Sequence, residues 1–274
     1  MAAATDEREI HRRGWSVPSF TATVLAPLRR PYCLVVPVIN EGARIRRQLV
    51  ETRDLGMCEA LDVIIADGGS VDGSLKEGFL RSTGVRALLT KTGPGKLSAQ
   101  LRCAYAFALV EGYSGIITID GNGKDSVSSL PRFIQALDAG VDYAQASRFI
   151  EGGEGINTPL LRLLAIRLLH APALSIAGRR WLTDTTQGYR AYSSRFLLDE
   201  RVQPFRDVFV RYELLAYLSA RAGQLGYRSV EIPTRRAYPA KEAIPTKIGG
   251  AHAHMDIINV LWKTLRGDYN PPVR

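Results

Sequence analysis

Residues 32–39, YCLVVPVI, form a continuous apolar run between the basic segment PLRRP and the polar triplet Asn40-Glu41-Gly42. An uninterrupted apolar run of this length is typical of a strand buried on both faces, as in a parallel sheet. Five later segments also have strand character and are separated by segments with helical spacing: LDVIIAD (61–67), VRALLT (85–90), GIITID (115–120), DYAQASRF (142–149) and YRSVEIPTRRAY (227–238). This alternation predicts an α/β fold with a mainly parallel central sheet and helices on both faces.

The strand-and-helix pattern predicts a single domain over residues 31–250. Residues 1–30 are polar and lack a sustained period, so we treat them as an N-terminal extension of unpredicted order. The pattern changes after residue 150, where the glycine-rich loop EGGEGINTP precedes further helical segments. In residues 251–274, apolar side chains recur at helical spacing and predict a C-terminal helix and tail.

The chain has 274 residues with 36 basic and 27 acidic side chains, a net charge of +9. This surplus favours anionic partners such as nucleotides, phosphate esters or anionic lipids, although a basic surface can also serve only to keep a protein dissolved. The sequence lacks RGG tracts, RNP-type aromatic motifs and zinc-finger spacings. A non-enzymatic nucleic-acid-binding protein is therefore a remote alternative, and nucleic acid is not an expected partner.

The sequence has three scattered cysteines, Cys33, Cys58 and Cys103. They show no CxxC spacing, which favours reduced thiols and a cytoplasmic location. The N-terminal residues are charged and contain no apolar leader segment. The longest apolar stretch, Leu160–Ala177, is interrupted by Arg162, Arg167 and His170. Charged side chains are costly in a bilayer, so a membrane span is not expected, and a helix lying at a membrane surface stays open.

Acidic and amide side chains follow three of the predicted strands directly. They are Asn40 and Glu41 after the first strand, Asp67 after the second, and the segment 120–125 (DGNGKD) after the fourth. Ligands of open parallel sheets bind at the carboxyl ends of the strands, so these loops predict a binding site. The sequence contains no GxxxxGK[ST], GxGxxG, GxSxG or HExxH motif. Lys96 stands at a predicted helix start, where a phosphate can bind.

Six segments in this order resemble the family-two inverting glycosyltransferases of GT-A fold: VVPVINEG, IIADGGSVDGS, GPGKLSAQ, ITIDGNGKD, ASRFIEGG and DTTQGYRAYS. Within that family the chain is most similar to the dolichyl- and polyprenyl-phosphate mannosyl- or glucosyltransferases. The resemblance implies transfer of a sugar, with inversion, from a UDP- or GDP-sugar to a polyprenyl-phosphate-like acceptor. It also implies that residues 31–150 bind the donor, that residues 151–250 build the acceptor side, and that acceptor-side helices follow toward the C-terminus.

The resemblance assigns roles position by position. The residues matched to nucleotide-sugar binding, together with Lys96, are Pro37, Asn40, Glu41, Asp67, Gly69, Asp120, Gly121 and Asn122. Those matched to the catalytic centre are Arg148, Asp184 and Arg190, and those matched to the acceptor phosphate are Arg236 and Lys247. A hydroxyl acceptor would need Asp184 as a general base, whereas a phosphate acceptor would need it only for orientation. Aspartate is also a favoured helix N-cap, so a structural role for Asp184 stays open.

The implied cofactor is Mg²⁺ or Mn²⁺, but this chain departs from the family at the metal motif. The second acid of the family's Asp-x-Asp is Asn122 here, and Lys124 stands where glutamine is common. The expected ligand set is Asp120, Asn122 and Asp125. Our hypothesis is that the metal is bound weakly or that Lys124 partly replaces it. Transfer to a soluble acceptor, peripheral contact with a membrane and a homodimer also stay open.

Overall fold

The computed structural model describes residues 9–10, 13–239 and 251–272. Its strands in chain order are β1 (Phe20–Val24), β2 (Tyr32–Val38), β3 (Asp62–Asp67), β4 (Val85–Lys91), β5 (Gly115–Thr118), β6 (Tyr143–Ser147), β7 (Glu154–Ile156), β8 (Arg190–Ser193), β9 (Ser229–Pro233) and β10 (Arg235–Ala237). Eight of them form one sheet in the order β1-β4-β3-β2-β5-β8-β6-β9. The other two, β7 and β10, pair in parallel as a small second sheet.

Helices cover both faces of the main sheet, which confirms the predicted α/β fold. They are α1 (Ala43–Asp54), α2 (Glu77–Ser82), α3 (Leu97–Val110), α4 (Leu130–Asp138), α5 (Leu160–Ala177, with a π-helical segment at Ile166–His170), α6 (Ser194–Leu198), α7 (Glu213–Gln224) and α8 (Ala251–Arg266). Along β2, Cys33 and Val35 enter a core shared with α3 and α7. Leu34 and Val36 enter the opposite core, shared with α1 and α4. The apolar run that begins the domain is therefore buried on both faces.

Two strands of the main sheet, β1 and β8, were not predicted from the sequence. Strand β1 lies within residues 1–30 and pairs antiparallel with β4, so part of the predicted extension belongs to the sheet edge. Strand β8 is inserted antiparallel between β5 and β6, in the interior of the sheet. Both are short and carry polar side chains, and long-range pairing rather than a local apolar run keeps them in place.

Exposed apolar side chains are concentrated on α5, on α8 and just after α5, and we call this set the apolar face. Helix α8 packs against the second half of α5 and against α7. The apolar face consists of Leu160, Leu161, Leu164, Leu168, Leu169, Ile176, Trp181, Met255, Ile258, Trp262 and Leu265. By length and composition alone, α5 is apolar enough to cross a membrane, and only 33% of it is buried against the protein.

Candidate active site

The candidate residues converge because the strands that precede them end at one edge of the sheet. Strands β2, β3, β5, β6 and β9 run in the same direction, so their carboxyl ends lie together. The antiparallel β8 starts at that edge, where Arg190 pairs with Thr118 and Gln145. The loop before β8, which carries Asp184, therefore enters the same site that the loops after β5, β6 and β9 form.

Asn40 joins the loops that follow β2 and β3. Its backbone N–H donates to Ser70 Oγ at 3.0 Å, and its side-chain oxygen accepts from Val71 N–H at 2.8 Å. Asp67 is buried, and its carboxylate accepts from Ser70 N–H at 2.8 Å. A surface depression of about 450 Å³ opens beside this junction, within the usual size range of small-molecule sites.

Pro37, Gly69 and Gly121 shape the backbone between these loops. Pro37 O accepts from Gly121 N–H at 3.3 Å, and a Cβ at Gly121 would lie 2.9 Å from that oxygen. Gly69 has φ +95°, a backbone conformation that side chains other than glycine rarely adopt. Glu41 is mostly buried, and its carboxylate accepts from Arg44 Nε and Nη2 at 3.0 and 2.8 Å. These contacts hold together the loops at the carboxyl ends of β2, β3 and β5.

The helix start at Lys96 leaves fewer backbone N–H donors for a phosphate than the sequence predicted. Lys96 N–H donates to Val210 O, and Ser98 N–H donates to Arg211 O, both at 2.8 Å. The chain itself therefore occupies two backbone donors that were expected to face a phosphate. The Lys96 side chain is exposed at this position.

The loop after β5 turns inward and buries both Lys124 and Asp125. Asp125 pairs with Arg236 through a backbone bridge and through a buried ion pair to Arg236 Nη1. The second nitrogen of Arg236, Nη2, lies 3.6 Å from Asp120 Oδ2. Burial lowers the pKa of Lys124 to about 8; the Arg236 charge adds to this effect and the Asp120 charge opposes it. Lys247, the other residue matched to the acceptor phosphate, lies outside the described residues.

Arg148 and Asp184 form an ion pair in which neither side chain is exposed. Arg148 Nε donates to Asp184 Oδ2 at 2.7 Å, and Gln187 Nε2 donates to the same oxygen at 2.6 Å. Burial raises the pKa of Asp184, but the Arg148 charge and these hydrogen bonds outweigh burial and lower the pKa below its ordinary value. Asp184 is thus held as a carboxylate with little capacity to accept a proton.

Arg190 is also buried, at 2% exposure, and its guanidinium binds the chain's own oxygens. Nε donates to Gln187 O at 2.9 Å, Nη1 to Ser219 Oγ at 2.8 Å, and Nη2 to Thr185 O at 2.9 Å. These contacts tie the loop before β8 to α7. In this conformation Arg190 positions the site rather than facing a substrate.

Comparisons with known proteins agree with this geometry. No protein-family profile matches the chain. Polyprenol monophosphomannose synthase of Mycolicibacterium smegmatis is 27% identical over 85% of this chain and 87% of its own length. Glycosyltransferase AglJ of Haloferax volcanii is 27% identical over 61% of this chain, and the match spans about half (52%) of its own length. Among solved structures, glucosyl-3-phosphoglycerate synthase of Mycobacterium tuberculosis, in complex with Mn²⁺, UDP and phosphoglyceric acid, superimposes with a TM-score of 0.59 at 18% identity, covering 85% of this chain and 78% of that one.

The chain is a glycosyltransferase of GT-A fold. The enzyme class and the fold predicted from the six ordered segments are thereby confirmed.

Two residues of this glycosyltransferase had no sequence assignment. Tyr238 follows β10 and lies at the centre of a cation cluster, with ring centroid 5.4 to 6.0 Å from Lys124, Arg148, Arg162 and Arg236. Burial raises the pKa of Tyr238, but the neighbouring guanidinium groups, Arg236 above all, outweigh burial and lower it to about 7. Glu231 accepts from the backbone N–H groups of Thr183 and Asp184 at 2.8 and 3.2 Å. Only the Arg-rich segment after β9 hinted at this cluster in the sequence.

The expected ligands of Mg²⁺ or Mn²⁺ do not form a metal site in this glycosyltransferase. Both metals prefer several oxygen ligands, among them one or two carboxylates. The Asp125 side chain is unexposed and paired with Arg236, so it is not available beside Asp120. Asn122 lies close to Asp120, with 3.4 Å between Nδ2 and Oδ2, but it brings no charge. Among the described residues, no group of three His, Cys, Asp or Glu side chains could hold a metal ion.

Proposed function

We propose that this glycosyltransferase transfers a sugar from a nucleoside diphosphate-sugar to a polyprenyl phosphate, with inversion at the anomeric carbon. The observation that carries the proposal is the state of Asp184, the sequence-predicted candidate for a general base. Its carboxylate is buried, bound by Arg148 and Gln187, and has a lowered pKa. A site built to activate a hydroxyl acceptor needs a base that can accept a proton near neutral pH.

A phosphate acceptor removes that requirement. The second pKa of a phosphate monoester lies near 6, so its oxygen is already an anionic nucleophile at neutral pH. Asp184 then serves to hold Arg148 in place. Polyprenol monophosphomannose synthase, similar to this chain over most of both lengths, is named for a product of this class.

The charge of the site suits two phosphate-bearing substrates. Lys124, Arg148, Arg162 and Arg236 surround Tyr238 at the strand-end edge. In our proposal, Asp67 and the loop that it closes bind the nucleoside, and the diphosphate lies toward Asp120. Preorganised cations stabilise the negative charge that develops on the leaving group.

The apolar face fits the lipid part of such an acceptor. Its side chains include Leu161 and Leu168, which are 82% and 74% exposed. Trp181 and Trp262 are also exposed, at 69% and 59%, and tryptophan is enriched where proteins meet the membrane interface. Arg167, Arg179 and Arg180 are exposed nearby and complement anionic lipid headgroups. We therefore propose peripheral binding of this face to a membrane that carries the acceptor.

The acceptor is tested by offering a polyprenyl phosphate and the matching polyprenol side by side, with UDP- and GDP-sugars as donors. Products are identified by mass spectrometry. We expect the glycosylated polyprenyl phosphate and free nucleoside diphosphate, with no transfer to the polyprenol. Equal transfer to the polyprenol, or transfer only to a soluble hydroxyl compound, would overturn the proposed acceptor.

Membrane contact is tested by co-sedimentation with vesicles of phosphatidylcholine with or without phosphatidylglycerol. The double variant Leu161→Ser/Leu168→Ser should weaken vesicle binding by at least about tenfold, because each buried leucine contributes about 1.5–3 kcal/mol. Leu55→Ser, at a side chain 45% exposed outside the apolar face, is the matched control. Unchanged binding of the double variant would exclude the apolar face as the contact.

A further inference from the structure

The loop after β5 is folded so that it presents a cation where the resemblance predicts a metal ligand. Asn122 Oδ1 accepts from Lys124 N–H at 3.2 Å, and Gly123 has φ +69°, which turns the chain back toward the sheet. Lys124 O then accepts from Ala237 N–H at 2.8 Å. This backbone pairing places Lys124, at 6% exposure, inside the site instead of in solvent.

Arg236 reaches the same place from β10, the strand that is hydrogen-bonded to this loop. It is 4% exposed, and its two terminal nitrogens lie against Asp125 and Asp120. Asp125 keeps the guanidinium in a fixed orientation, because its carboxylate is unexposed and reaches Arg236 from a backbone-bridged position. Asp120, with 21% of its side chain exposed, is the acid of the loop that reaches the open side of the site.

A divalent ion at Asp120 would therefore meet neighbours of the wrong charge. Of the three expected ligands, Asn122 is neutral, and the carboxylate of Asp125 is already paired with Arg236. Lys124, when protonated, has no lone pair with which to bind a metal. Lys124 and Arg236 instead place two positive charges close to Asp120.

We infer that Lys124 and Arg236 together supply, at the donor diphosphate, the positive charge that the family resemblance assigns to a divalent metal. This inference rests on the proposed function, since it requires a nucleoside diphosphate at the Asp120 edge. In the transfer, a bond forms between the anomeric carbon and an acceptor phosphate oxygen. The bond from that carbon to the donor's β-phosphate oxygen breaks, and its electron pair stays on the departing diphosphate. Lys124 and Arg236 neutralise that charge, and the site takes up no metal with the donor.

The test is calorimetric titration of the full chain with UDP and with GDP, in EDTA and separately in Mn²⁺. For the wild-type protein we expect one of the two nucleotides to bind with affinities that agree within about threefold in the two conditions. Lys124→Gln should lower the affinity in EDTA by at least about tenfold, whereas Lys124→Arg should retain most of it. Lys76→Gln, at an exposed lysine, is the matched control and should bind like the wild type.

The variant Asn122→Asp/Lys124→Gln restores the ligand types of the resembled family. Its nucleotide affinity should be higher in Mn²⁺ than in EDTA, whereas the wild-type affinity should be nearly the same in both. Wild-type binding that disappears in EDTA and returns with Mn²⁺ would overturn the inference while leaving the proposed function standing. Absence of UDP and GDP binding in both conditions would overturn the proposed function and the inference together. The wild-type comparison decides the question even where a Lys124 variant does not fold.

Discussion

The buried pair of Arg148 and Asp184 should be coupled far more strongly than a surface ion pair. Neither side chain is exposed, and the carboxylate accepts from Arg148 Nε at 2.7 Å and Nη2 at 3.3 Å. Arg148→Met leaves a charged carboxylate in the interior with Gln187 and Thr186 as its remaining side-chain partners. Removal of one partner from a buried pair costs about 3–5 kcal/mol.

Urea unfolding followed by circular dichroism measures this loss as a change in the free energy of unfolding. We expect Arg148→Met and Asp184→Leu each to lose about 3–5 kcal/mol. The loss in the double variant should be about 2 kcal/mol smaller than the sum of the two single losses, because the double variant no longer buries an unpaired charge. In a chain of this size the single variants should melt about 6–15 °C lower.

The exposed pair Arg235–Glu154 is the matched control. Its Nε–Oε2 distance is 3.1 Å, but the two side chains are 57% and 59% exposed. Arg235→Met and Glu154→Gln should each change the free energy of unfolding by less than about 1 kcal/mol, with coupling within error. Losses below about 1 kcal/mol at Arg148, or additive effects of Arg148→Met and Asp184→Leu, would refute the assignment of a strongly coupled pair.

Two further predictions concern pH and packing. Burial, aided by the Arg190 charge, lowers the pKa of His170 to about 4, so below pH 6.5 the unfolded chain takes up a proton that the folded chain does not. The free energy of unfolding should therefore fall by up to about 3 kcal/mol from pH 6.5 toward pH 4. Urea unfolding should show a smaller decrease over this pH range for His170→Gln than for the wild type. An equal decrease in the two proteins would contradict the assignment to His170. At Gly188, a Cβ would lie 2.2 Å from Asp120 Oδ1, so Gly188→Ala should displace that carboxylate and lower kcat/KM by about 100-fold. Gly78→Ala, where a Cβ meets nothing within 4 Å, should leave the kinetics unchanged, and equal activity of the two variants would rule out this role for Gly188.

The local sequence was sufficient to predict the core of the fold and the strand-end positions of several candidate site residues. Strands β2 and β3 are apolar because both faces are buried, and a purely local pattern reveals this. The strand-end positions of Asp67 and Asp120 followed from the same pattern. Such patterns can be recognised locally, because a short stretch of consecutive residues is enough to show which positions are buried.

The orientation of individual side chains could not be predicted in the same way. The inward turn of Asp125 depends on Arg236, which is 111 residues away in the chain. Arg148 was matched to the catalytic centre, yet its guanidinium is directed into a buried pair with Asp184, 36 residues later. Tyr238 was missed because a single tyrosine carries no signal until four cations from separate segments surround it. Such contacts between distant segments leave no periodic trace in the sequence.

The interior position of β8 has a consequence for folding of the chain during its synthesis on the ribosome. Strand β5 gains its second neighbour only when residues 190–193 have been made, long after the strands on its other side. Until then its edge presents unpaired backbone groups that invite pairing with another chain. The donor-side segment should therefore depend on chaperones during synthesis, and a chain truncated before β8 should aggregate instead of persisting as a half-enzyme.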